Sequence, residues 1–204
     1  MNTNQLLRFG VLAALSFWIT NIGCGYILNY NHLTGSVSEI GAIGTPTQSL
    51  FTGGIMLCAV FNAFFVLGLF KACKETGISV TPVYIMAAFS VSMFGVSLFP
   101  TPHLLHGVFG VISMLMHIAP LLAFLLWRGD SKLAKLRGVS LVTFFFMALS
   151  VTSFFPALQT EVPGLVVRFF HVGWAAWYVF MSFYFISKVK TKAQKPITVR
   201  AELV

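Results

Sequence analysis

Six stretches of the chain stay apolar for about the length a helix needs to cross a hydrocarbon layer, which is ~20 residues for ~30 Å. They run from Leu6 to Leu28, Leu50 to Ala72, Val80 to Phe99, Leu104 to Trp127, Val139 to Phe155 and Leu165 to Ile186. Only helices and closed barrels satisfy their backbone polar groups inside lipid. None of the six runs alternates with the period of two that a barrel strand requires. The pattern therefore predicts an all-α integral membrane bundle of six transmembrane helices occupying residues 1–187. The remaining segment, 188–204, is polar, basic and broken by Pro196, and reads as a disordered tail.

The third run ends in Ser97-Leu98-Phe99-Pro100 and the fifth in Ser153-Phe154-Phe155-Pro156. Each is followed by a connection and a run with a histidine near a glycine at its start, His106-Gly107 and His171-Val172-Gly173. This suggests a duplicated helical hairpin, runs three and four against five and six, with a proline closing the same helix in each copy. The connection from Asn29 to Ser49 is the longest at the end where it lies. Glycines and Pro46 put turns in it, and Val37, Ile40, Ala42 and Ile43 make it too apolar for a free loop. It is expected to fold back over the mouth of the bundle.

Composition agrees with the pattern: 57% of residues are apolar and 9% charged, against about 45–50% and 25% in soluble domains. Charge then orients the bundle. Of the 13 Lys and Arg residues, 12 fall at one end when the six runs are threaded back and forth. They are Arg8, Lys71, Lys74, Arg128, Lys132, Lys135, Arg137, Lys188, Lys190, Lys192, Lys195 and Arg200. Positive charge marks the cytoplasmic side, which places both termini in the cytoplasm and the Asn29–Ser49 connection outside. The net charge of +8 thus reads as orientation and contact with anionic lipid head groups, not as a nucleic-acid surface. Cys24, Cys58 and Cys73 lie in or beside the runs without a CxxC spacing, and read as small apolar fillers.

Several of these segments together resemble a known family. Ser38-Glu39-Ile40-Gly41 followed by Gly44-Thr45-Pro46, the Phe99-Pro100 ending with His106-Gly107 downstream, and Gly164 with Arg168 opening the last run are similar to a prokaryotic six-helix membrane family catalogued as domain of unknown function 998. The resemblance covers nearly the whole chain. It departs after Phe99-Pro100, where Thr101-Pro102-His103 stands in place of an early acidic or polar residue. It implies a six-helix architecture in a prokaryotic plasma membrane and names no activity.

The thirteenth cation, Arg168, lies within the last run, where a charged side chain costs about 2.5–3.5 kcal/mol and normally has a partner. His171 at i+3 and Trp174 at i+6 share its face. Glu39 and Glu161 are the acidic residues at the same end, and Glu39, in the apolar connection, is the expected partner of Arg168. The candidate ligand-binding set is Glu39, His106, Arg168, His171, Trp174 and Ser38. A zinc ion could take His103 or His106 with His171 and Glu39. Haem has only a partial ligand set, since His117 lacks a partner at its depth. Ser38, Ser97 or Ser153 beside a histidine would be the nucleophilic alternative.

Three functional readings follow. The first is a protein that binds or transports a small anionic or amphiphilic ligand in a polar pocket of its outer half, beneath the connection bearing Glu39 and against the fourth and sixth runs, through Arg168, His106 and His171, with Glu39 as a displaceable counter-ion. The second is an intramembrane hydrolase acting on a lipid-like substrate, with or without zinc. In the third, the polar cluster only fastens the connection to the bundle.

Overall fold

The computed structural model describes residues 1–128, 133–154 and 161–193. Helices α1 (Thr3–Ile27), α2 (Gln48–Thr76) and α3 (Thr81–Leu98) form the first three spans. The fourth comprises α4 (Leu104–Met114), a 3₁₀ turn (Leu115–His117) and α5 (Ile118–Leu126). The fifth is α6 (Ala134–Ala148), which tightens into a 3₁₀ segment (Leu149–Phe154), and the sixth is α7 (Pro163–Ala193). All six are long and apolar enough to cross a membrane. Phe155 and Pro156 lie outside the described residues.

Local signals set the helix ends. Asn2 caps α1 by accepting the Gln5 N–H at 2.9 Å, while the Gln5 side chain accepts the Asn2 N–H. Gly77 closes α2 at φ +76°, a left-handed conformation that a side chain would disfavour. The 3₁₀ turn in the fourth span lies just before Pro120, whose ring crowds the carbonyl four residues back and supplies it no N–H. α7 continues through Ala193, so the first six residues of the expected tail are helical. Residues 194–204 lie outside the described residues.

The core forms where α7 packs along α1 and α6, with α2 closely paired to α1. Gly68 lets the α2 backbone reach the Leu6–Leu7 backbone of α1, and a methyl there would meet it. Leu12, Leu15, Ile19, Ile22 and Ile27 remain exposed along the opposite face of α1, as a lipid-facing surface requires. Trp127 departs from the interfacial belt expected of a tryptophan near a span end. It is fully buried against Phe185 and donates its indole N–H to the Ser79 carbonyl at 2.8 Å. Trp174 and Trp177 are buried too, and the three cysteines are buried and free.

α4 is the exception to this packing. It rests chiefly on α3 and has no fully buried residue. Ser92 of α3 holds it by donating to the Phe109 carbonyl at 2.6 Å, and the Phe109 ring lies against Gly95.

Candidate functional site

The connection between α1 and α2 folds back as its apolar residues required. Asn29 turns the chain at φ +49°, and the Tyr30 N–H donates to the Gly25 carbonyl at 2.9 Å. A 3₁₀ turn over Val37–Gly41 then buries Val37 and Ile40, three residues apart. The Ile40 carbonyl accepts from the Thr47 hydroxyl. Farther on, the Ile43 N–H donates at 2.8 Å to the Thr101 carbonyl, beyond α3. The connection is thus a cap fastened to both sides of the bundle end.

Arg168 supplies its main fastening to α7. One guanidinium nitrogen donates to the carbonyls of His32 (2.6 Å), Gly35 (2.9 Å) and Gly164 (2.8 Å). The other lies 2.8 Å from His32 Nδ1, which must accept because a guanidinium only donates. Burial lowers the His32 pKa, and the nearby Arg168 charge lowers it further, which keeps the ring neutral and able to accept. Glycine at 164 is required here, because a Cβ would strike the Gly35 backbone.

The expected Glu39 to Arg168 contact is not direct. Glu39 is exposed, and its carboxylate accepts from the Tyr30 hydroxyl and from the Ser36 N–H at 3.3 Å. Yet the Gly35 carbonyl and the Ser36 N–H belong to one peptide group. Its oxygen meets the guanidinium and its N–H meets the carboxylate, so one peptide dipole links the two charges. Burial, and then Glu39, raise the Tyr30 pKa, so its hydroxyl remains a donor. The expectation failed in geometry because carbonyl oxygens, which the sequence does not distinguish, met the cation first.

Beneath the cap lies a cavity of about 350 Å³, bounded by α1, α2, α3, α4, the 3₁₀ segment of the fifth span and α7. Phe17, Ile55, Phe89, Met93, Val111 and Phe170 give it an apolar wall. Ser38, His106 and His171 of the expected ligand set line it, whereas Glu39, Arg168 and Trp174 do not. No Lys, Arg, Asp or Glu is among the described lining residues.

The two histidines face the cavity with opposite hydrogen-bonding characters. His106 Nδ1 is 2.9 Å from the Phe99 carbonyl and must donate to it, which leaves Nε2 as an acceptor in the neutral ring. His171 Nδ1 accepts from the Trp174 indole at 3.4 Å, which leaves its proton on Nε2. Trp174 therefore orients His171 rather than touching the cavity, and Phe17 stacks on the same ring at 4.8 Å. His103 serves as the N-cap of α4, accepting from the Leu105 N–H at 3.1 Å. His103, His106, His171 and Glu39 are not brought together as a metal-holding group among the described residues.

The family model described as "Protein of unknown function (DUF998)" matches residues 11–184. The chain belongs to the DUF998 family. No curated protein and no solved structure matches it.

In this DUF998 chain, two participants escaped sequence reasoning. His32 carries no periodic signal in the connection, although it holds Arg168. Ser150, which lines the cavity, lies 3.0 Å from His117 Nε2 across two spans. Of the serines expected beside a histidine, Ser97 lines the cavity but donates to the Phe94 carbonyl at 2.8 Å and lies 3.7 Å from Met56 Sδ, and Ser153 donates to the Ser150 carbonyl at 2.7 Å. Ser38 lines the cavity, and its hydroxyl meets that of Ser36 at 3.3 Å.

Proposed function

We propose that the protein binds an amphiphilic, lipid-like ligand in the cavity beneath the cap. The supporting observation is an apolar cavity, lined by no charged side chain among the described residues, into which one imidazole acceptor and one imidazole donor project. Its size falls within the range of small-molecule sites. Such a lining takes an apolar chain with an uncharged polar group, such as a hydroxyl or an ester. The anionic option loses its support because the Arg168 guanidinium donates to three carbonyls and His32. Arg168 serves instead to hold the cap in place.

The basic segments of the chain support a placement with both termini in the cytoplasm and the capped end at the outer face of a plasma membrane. A ligand would then reach the cavity from the outer leaflet or the outer solution.

Gly107 and Gly110 make this reading testable. Both line the cavity, and a Cβ added at either meets nothing within 4 Å. Gly110→Leu adds a branched side chain to the cavity lining, starting from a Cβ that meets nothing within 4 Å. Binding of a fluorescent fatty alcohol to the purified protein should weaken at least tenfold in that variant, with the melting temperature held or raised. Unchanged affinity would refute a ligand site in this cavity.

A further inference from the structure

We infer that Ser150 is a nucleophile activated by His117, and that the cavity is an acyl-transfer site for an ester-bearing amphiphile. The inference rests on the reading of the cavity as a ligand site and adds a reaction to it.

The geometry has the three parts that nucleophilic catalysis needs: a hydroxyl, a base within reach of it, and a group that orients the base. Ser150 Oγ lies 3.0 Å from His117 Nε2. His117 Nδ1 lies 2.9 Å from the Met114 carbonyl, which can only accept, so the neutral ring carries its proton on Nδ1 and presents a lone pair at Nε2. Phe170 stacks on the ring at 4.7 Å and 26°, which fixes its plane. The Ser150 hydroxyl has two acceptors, the Met147 carbonyl at 2.7 Å and His117 Nε2. Rotation toward the histidine readies the oxygen for attack.

Position distinguishes this pair from an ordinary hydrogen bond between helices. Ser150 lines the cavity, as do Ser113 and Met114, which lie about two turns, ~10 to 12 Å, deeper along the span than His106. His117 belongs to the 3₁₀ turn that precedes Pro120 within the fourth span, and Ser150 to the 3₁₀ segment that ends the fifth, so the pair forms where both spans depart from regular α-helix. His171 adds an N–H donor with no partner among the described residues, on the wall of the same cavity.

The reaction balances with water as co-reactant. Ser150 Oγ bonds to the ester carbonyl carbon while its proton moves to His117 Nε2, and the carbonyl π pair moves onto oxygen. Collapse of that adduct breaks the bond to the alcohol oxygen, which leaves with the proton from Nε2. Water then attacks the acyl-serine and gives a proton to Nε2. The serine oxygen leaves and recovers that proton, so ester and water become acid and alcohol.

The test is labelling of the full-length protein in detergent with a long-chain alkyl fluorophosphonate. Expected is one label per chain, mapped to Ser150 by mass spectrometry, absent in Ser150→Ala and slowed at least 100-fold in His117→Gln. Ser150→Cys should exchange this reactivity for reaction with an iodoacetamide bearing the same alkyl chain. Labelling elsewhere, no labelling of a protein that still binds the fluorescent fatty alcohol, or labelling indifferent to His117→Gln would each overturn the inference. An affinity unchanged by Gly110→Leu would instead remove the ligand-site reading beneath it.

Discussion

Replacing Arg168 with leucine tests the fastening of the cap. The substitution removes the donors to the His32, Gly35 and Gly164 carbonyls and to His32 Nδ1. Gly164 lies four residues before position 168, so its carbonyl keeps the helical N–H partner that any residue but proline supplies there. The carbonyls of His32 and Gly35 lose a partner outright, at ~1–3 kcal/mol each where water cannot reach. Two such losses span about 2–6 kcal/mol, and because both residues are only half-buried the total falls in the lower part, at about 2–4 kcal/mol. For a chain of this size that corresponds to a fall in melting temperature on the order of 10 °C. A thiol-reactive fluorophore reports it directly, because all three cysteines are buried and free. Arg168→Lys should recover only part of the loss, since one ammonium cannot span the same acceptors. A melting temperature within a degree of wild type for Arg168→Leu would refute the fastening role.

Further outcomes follow from other contacts. The lowered His32 pKa means that the unfolded chain takes up the proton first as pH falls. Stability should therefore decline below about pH 6.5, and His32→Gln should flatten its share of that slope; parallel pH–melting curves for the two proteins would contradict this. Ser92→Ala removes the donor to the Phe109 carbonyl and should cost about 1 kcal/mol, seen as a lower melting temperature and faster amide exchange in α4. Gly110→Ala should stabilise by about 0.5–1 kcal/mol, as expected for an unobstructed helical glycine. Gly95→Ala, whose methyl would overlap the Phe109 ring, should destabilise. The opposite signs of these two glycine variants can be read in one thermal scan.

The spans were legible because a helix apolar on every side for ~20 residues is at home only in lipid, and the cap because Val37 and Ile40 could not remain in water. The partners of Arg168 were not. Coulomb reasoning pointed to Glu39, the acidic candidate in the apolar connection, but every residue carries a carbonyl, and nothing in a sequence marks the three that converge. Trp127 resembled an interfacial anchor because it ends a span; which way it faces depends on how the helices pack. His117 and Ser150 are separated by 33 positions, so their meeting depends on how the fourth and fifth spans cross. A pocket beneath the cap was expected, but its apolar lining and its opening along α4 were not legible, since the two glycines of α4 that line it look in sequence like Gly68, which brings α1 and α2 together.

The most direct measurement is native mass spectrometry of the protein released from the membranes that made it, comparing wild type with Gly110→Leu. The expected result is a lipid-like adduct of uncharged head group on the wild-type protein, lost or sharply reduced in Gly110→Leu while the folded charge-state distribution is unchanged. Wild-type protein carrying no adduct beyond exchangeable detergent, or an adduct equally abundant on both, would contradict ligand binding in the cavity.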